Sequence, residues 1–236
     1  MAPHEPRLWS LVMTFSPAST TPSLITVADL VRSQPAAVRI LQRHGIDFCC
    51  GGKKPLADAC ADVGVATEAL LAEVTAASQT VTLSWSTLPP SALCDTLESR
   101  FHAPLAEELP RLRAMAQRVL LVHGHKDPER LEGIADAVDA LIADLVPHMR
   151  EEEAELFPLI RQGRRADAAA LLAGLEEEHE AVGAILKQLR HLTDAFTPPL
   201  GACGTWRALY QGLAELEAET HEHIHIENNV LFQGLA

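Results

Sequence analysis

From Ser91 onward, leucine, alanine and valine recur at the three- and four-residue spacing of helices that bury one face. The pattern breaks at Gly124 to Pro128, Gln162 to Arg165 and Thr197 to Gly204, which leaves four long amphipathic helices with short connections and predicts an up-down-up-down bundle. Ser91 is placed to cap the first of them. Upstream, helices are predicted from Thr26, from Pro35 to His44 with Gly45 as a C-terminal cap, from Pro55 to Asp62 and from Thr67 to Ala77. The expected organisation is all-α: a disordered extension over 1–22, a small helical domain over 23–79, a linker over 80–91 containing Pro89-Pro90, and the bundle over 92–236.

Composition narrows the classes of function. Nineteen Lys and Arg stand against 32 Asp and Glu, a net charge of −13 that disfavours nucleic acid and suits cation handling. Every apolar stretch is interrupted by Arg, Glu or His before the roughly 18 residues a membrane span requires, so no membrane role is expected. Near the amino end, Leu8 to Phe15 is short for a signal peptide and is preceded by Glu5; a disordered extension, with Met13 as an alternative start, is the expectation. Five cysteines, at 49, 50, 60, 94 and 203, form no disulfide framework and point to a reducing cytoplasm.

Two pairs carry chemistry. His148 and Glu152, like His223 and Glu227, are four residues apart and project from one helix face within reach of a common ligand. Ligands of a single site in an antiparallel bundle must share one height. His102 and His148 each lie 23 residues from position 125 in the first break, and His148 and His179 lie 16 and 15 from position 164 in the second. His223 and Glu227 fall near the same layer. Four imidazoles and two carboxylates so arranged suit two metal ions bridged by the carboxylates. Iron fits this donor set, dinuclear zinc or manganese stays open, and thiolate-rich structural zinc is excluded.

The same arithmetic sets other histidines aside. His123 lies 21 residues beyond His102, roughly 30 Å along a helix, and with His125 reads as a polar helix terminus. His221 and His225 are expected to point outward, away from His223, and His44 and His191 to be structural.

These motifs resemble a known family, the iron-sulfur cluster repair di-iron proteins, which join an amino-terminal Cys-Cys domain to a hemerythrin-like domain. The resemblance is carried by Ile46-Asp47-Phe48-Cys49-Cys50-Gly51-Gly52, Arg100-Phe101-His102, His148-Met149-Arg150-Glu151-Glu152 running to Leu156-Phe157-Pro158, Glu178-His179, and His223-Ile224-His225-Ile226-Glu227-Asn228-Asn229. It implies two iron ions, bridged by oxide or hydroxide, on His102, His148, Glu152, His179, His223 and Glu227. It further implies repair of clusters damaged by nitric oxide or oxidants, by donating iron to damaged iron-sulfur proteins. A di-iron nitric oxide reductase, and a module that binds or senses oxygen or nitric oxide, are the alternatives; a homodimer stays open. Where oxygen-carrying hemerythrins have a second histidine one turn after the third-helix ligand, this chain has Gly183, which leaves coordination more open.

Around the ligands, Asp144 and Glu178 are expected to accept imidazole N–H groups or to hold departing iron. Pro104 and Pro147 predict kinks beside the metal. Adjacent Cys49 and Cys50, with Cα atoms about 3.8 Å apart, are too close for an unstrained bridge. They read as two free thiols in a flexible turn, activated by Lys53 and Lys54 for thiol or iron transfer. Cys60, Cys94 and Cys203 are expected in the core.

Overall fold

The computed structural model describes residues 25–34, 36–49, 51–77 and 85–235, without the side chain of Ser86. The extension over 1–22, Pro35, Cys50 and most of the expected linker lie outside the described residues. Among the described residues there is no strand, only an isolated antiparallel bridge between Thr26 and Pro55.

Four short helices form the amino-terminal domain: α1 (Val27–Ser33), α2 (Ala37–Arg43), α3 (Leu56–Asp62) and α4 (Thr67–Ala77). Thr26 begins α1 through a capping box: its hydroxyl accepts from the Asp29 amide, and the Asp29 carboxylate accepts from the Thr26 amide. Gly45 follows α2 at φ +70°, the left-handed conformation that lets the chain leave a helix. Val27, Leu30, Ile40, Leu41, Phe48, Leu56, Leu70 and Val74 are buried together as a separate small core.

The bundle begins with α5 (Pro90–Leu97), which passes through a wide π turn at Glu98–His102 into α6 (Ala103–His123). Its first turn opens on Pro90, with Pro89 at the cap, so Ser91 lies inside the helix rather than at its start. Proline suits that position because first-turn amides have no helical partner. Next come α7 (Pro128–Glu151), a second π turn (Glu152–Leu156), α8 (Phe157–Arg161), the short α9 (Arg165–Ala169), α10 (Leu172–Leu192), and α11 (Gly204–Ile226), which ends in a third π turn (Glu227–Leu231).

Prolines account for two of the three π turns. The rings of Pro104 and Pro158 would collide with the carbonyl four residues back, and each π turn lies immediately upstream, where the chain gains an extra residue per turn. The kink expected at Pro104 therefore takes the form of a widened turn. Pro147 differs: it sits inside the continuous α7, with no π turn at its position. No proline follows the third π turn.

Leucines at helical spacing, among them Leu105, Leu109, Leu112, Leu131, Leu141, Leu186, Leu209 and Leu213, fill the bundle core. Into one end of it come His102, His148, Glu152, His179, His223 and Glu227, all buried. Charged groups without partners would be costly there. Their presence inside a leucine core is the feature that must be explained.

The domains touch. His225 donates from Nδ1 to the Phe48 carbonyl at 3.2 Å, and Phe48 packs edge-on against both His221 and His225. Neither histidine is free on the surface as expected: His225 is buried and His221 half-buried. The side of α11 opposite the ligands is covered by the amino-terminal domain, which the helical period of the bundle alone does not reveal. Burial accordingly pushes His225 down to about 4, so it is neutral at its backbone contact.

Candidate metal centre

The six donors form two groups with two members in common. His102, Glu152, His223 and Glu227 make one, and His148, Glu152, His179 and Glu227 the other; within each, one ligand atom per residue lies within 4.8 Å of the rest. Glu152 and Glu227 sit between the two histidine pairs, the position of bridging carboxylates. The Nε2 atoms of His102 and His223 are 3.0 Å apart, and those of His148 and His179 are 2.9 Å apart. Two donors at right angles around a cation about 2.1 Å away would be separated by about 3.0 Å.

The outer nitrogens set the inner ones. His148 Nδ1 donates to Glu178 at 2.7 Å, and His179 Nδ1 donates to the Asn228 side-chain oxygen at 2.8 Å. Burial, reinforced by neighbouring His179, lowers His148 to about 4, so this ring is neutral. Nδ1 of each ring points outward to its partner, so for neutral rings two Nε2 lone pairs face each other across 2.9 Å. That arrangement is repulsive unless a cation lies between them. Both oxygens of Glu152 and Oε2 of Glu227 are buried without a hydrogen-bond partner. Three carboxylate oxygens converge on the imidazole Nε2 atoms without a partner, Glu227 Oε1 alone meeting His223 Nε2 at 2.7 Å, and a pair of cations fits this demand.

The electrostatics of the cluster agree. Burial and the Glu227 charge push Glu152 well above the ordinary carboxylate range. Glu227 is held well below it: burial opposes ionisation, but the neighbouring His223, His102 and His179 rings outweigh that. One carboxylate thus keeps a proton and the other a charge. Like charges this close do not both ionise without a cation between them.

Second partners around the ligands only partly follow expectation. Glu178 holds His148. Asp144 is exposed and, among the described residues, no hydrogen bond or ion pair joins it to a ligand; the His148 ring is already turned to Glu178. The partners the sequence reading missed are Glu153, 2.9 Å from His102 Nδ1, and Asn228. Each directly follows a ligand glutamate. A polar residue next to a ligand carboxylate was the available signal, hidden because an ordinary helix would swing it some 100° away. Both are the second residue of a π turn, which redirects that swing.

The π turns also make the two halves alike. Five residues after Glu152, Phe157 stacks on His102 with centroids 5.6 Å apart; five after Glu227, Phe232 stacks on His179 at 6.0 Å. His148, Glu152, Glu153 and Phe157 therefore correspond to His223, Glu227, Asn228 and Phe232. The correspondence breaks where Glu178 precedes His179, because Phe101 precedes His102. Phe101 stacks on His223 at 5.5 Å, and His223 Nδ1 is buried without a hydrogen-bond partner.

Cys49 is buried rather than loose in a flexible turn. Its thiol donates to Asp47 at 3.2 Å, and its carbonyl faces the side-chain amides of Asn228 and Asn229 at 3.4 Å each. Lys53 is directed to Glu176 at 3.4 Å and Lys54 to Asp62, so both lysines are engaged by carboxylates. A cleft between the domains is lined by Cys49, Lys53, Glu176, Glu180, Asn228 and Asn229. Cys60 and Cys94 are buried, but Cys203 is exposed at the start of α11, 3.3 Å from His123 Nε2 at the end of α6.

Antiparallel helices closing on a shared His and Glu cluster define a hemerythrin-like, cation-binding bundle. Residues 97–235 match the hemerythrin HHE cation binding domain, and residues 25–78 match a domain of unknown function, DUF542. Relatives named iron-sulfur cluster repair protein YtfE, from Yersinia pseudotuberculosis serotype IB (strain PB1/+) and Yersinia pestis (strain Pestoides F), are each 40% identical over 200 residues, covering 84% of this chain and 90% of theirs. The chain belongs to this family of two-domain iron-sulfur cluster repair proteins.

Proposed function

We propose that this protein restores damaged iron-sulfur clusters in client proteins by supplying iron held at the buried cluster. His102 and His223 would hold one iron, His148 and His179 the other, with Glu152 and Glu227 bridging. When bound, the irons supply the material for rebuilding a cluster. The chain's residues keep that store dry and exchangeable: Phe101, Phe157 and Phe232 shield the imidazoles, while Gly183 brings no further ligand to His179. Glu153 and Glu178 stand beside the ligands at the partly exposed rim, where a departing cation meets its next carboxylate. Cys49 and Cys50 supply thiols for contact with a client. A reducing cytoplasm, where thiols persist, is the compartment this reading requires.

The observation that carries the reading is the sharing of both carboxylates by two histidine pairs, alongside relatives named as iron-sulfur cluster repair proteins. Among the described residues no helix is long and apolar enough to cross a membrane. The test is to purify the protein, measure iron per chain, and mix it with a client whose cluster has been destroyed by nitric oxide. About two irons per chain and recovery of the client's cluster absorption, lost when Glu152 is replaced by Gln, are expected. Stoichiometric zinc, or catalytic consumption of nitric oxide with an electron donor and no client recovery, would replace this reading.

A further inference from the structure

The second and third π turns each place a glutamate of the cluster and, directly after it, a partner for the outer nitrogen of a histidine on another helix. In the first case the partner is the carboxylate of Glu153. In the second it is the amide of Asn228, and that difference has a chemical meaning. A carboxylate only accepts. An amide accepts on one side and donates on the other, so Asn228 takes the His179 Nδ1 proton on its oxygen at 2.8 Å while its nitrogen faces the Cys49 carbonyl at 3.4 Å. One side chain therefore joins the thiol-bearing turn to a metal ligand.

The surrounding packing makes the turn's position matter. A side chain on Gly52 would meet the Asn229 oxygen at 3.0 Å and the Ala28 Cβ at 3.1 Å, so the turn is seated directly on α1 and the third π turn. Asn229 also donates to the Cys49 carbonyl. Movement of the turn is thus passed to this pair of amides.

We propose that Asn228 is a positioning residue that couples the Cys49 turn to His179, and so sets how firmly one of the two metal positions is held. When the turn shifts, as when a client engages the thiols, the amide is drawn with it and its hydrogen bond to His179 changes. Support from an outer hydrogen bond is worth about 10- to 100-fold in metal affinity. Loss of that support at His179 releases metal while the Glu153 and Glu178 contacts of the other imidazoles stay in place. This inference rests on the metal-binding reading above.

The experiment is a double-mutant cycle on the full, iron-loaded chain, reading the rate of iron loss to a coloured chelator. Asn228→Asp keeps an acceptor for His179 but cannot donate to the Cys49 carbonyl; Gly52→Ala displaces the turn. Gly52→Ala is expected to speed release of one iron per chain at least threefold when Asn228 is present and to have less than half that effect beside Asn228→Asp. If Gly52→Ala unfolds the domain by circular dichroism, Asn229→Ala replaces it as the perturbation of the turn. The His179 Nδ1 proton resonance in metal-free protein, shifted by either turn variant only when Asn228 is present, is the second readout. Equal effects in both backgrounds, or no effect of either turn variant, would overturn the coupling. A chain that binds no metal at all would instead overturn the reading on which it rests.

Discussion

Glu178 and Phe101 occupy equivalent places in the two halves of the centre, each preceding a ligand histidine, yet Glu178 accepts from His148 while Phe101 only stacks on His223. The two candidate metal positions are therefore unequal. A carboxylate behind an imidazole strengthens it as a donor, and His223 lacks that support. Replacing Glu178 by Gln should weaken metal binding about 10- to 100-fold at the His148–His179 position, while Phe101→Leu leaves affinity at the other within about threefold. Metal titration followed by absorption would distinguish the two.

Glu152 and Glu227 belong to both ligand groups, whereas each histidine belongs to one. Glu152→Gln is thus expected to lower metal content by more than one equivalent per chain, and His102→Ala or His179→Ala by about one. Elemental analysis of the purified variants measures this directly. A loss from Glu152→Gln no greater than from a single histidine would contradict bridging.

In α1, Asp29 is held below its ordinary value by the Thr26 hydroxyl and amide. A carboxylate with a lowered folded pKa adds stability above its unfolded value, here 3.8, and loses it as pH falls through the folded value. The stability difference between the native chain and Asp29→Asn should be constant from pH 5 to 7 and shrink below about pH 4. Thr26→Ala should cost about 1 kcal/mol at neutral pH, read from urea unfolding.

Arg190 pairs with Glu217 through two contacts, and Glu217 is 2% exposed. Removing the guanidinium leaves a buried carboxylate without its counter-charge. Arg190→Ala is expected to destabilise the bundle by about 3 kcal/mol, and Glu217→Gln alone by less, in denaturant titrations.

Burial pushes the Cys94 thiol up to about 12, whereas Cys203 is exposed. At pH 8 only about one Cys94 in ten thousand would be a thiolate. Iodoacetamide should label Cys203 in the folded protein and spare Cys94 until denaturant is added, as peptide mass mapping would record.

Much of this architecture was legible because two regular periods coincide. The helical repeat of leucines marked the bundle, and equal distances from the turns put His102, His148 and His179 at one height without any structure. Thr26 and Gly45 announced helix ends through local chemistry. What was not legible depends on contacts between distant segments. His225 looked outward because nothing in its own helix indicates that Phe48, 177 residues earlier, covers it. Cys203 looked like a core residue by type, but it stands at a helix start beside His123. Glu153 and Asn228 were hidden for a different reason: an ordinary helix would point them elsewhere, and the extra residue in each π turn is not announced by hydrophobic spacing. Asp144 was chosen on that same ordinary geometry and lies exposed.

The widened turns also make chain length itself a constraint. Deleting one residue from Ala154 to Leu156 would remove the extra residue and let the helix close to its usual pitch, with everything downstream still facing as before. Phe157 would stay over the His102 ring, but Glu153 would swing away from the imidazole it supports. A shortened turn could thus keep all six donors and the aromatic cover and still lose the outer partner of a histidine.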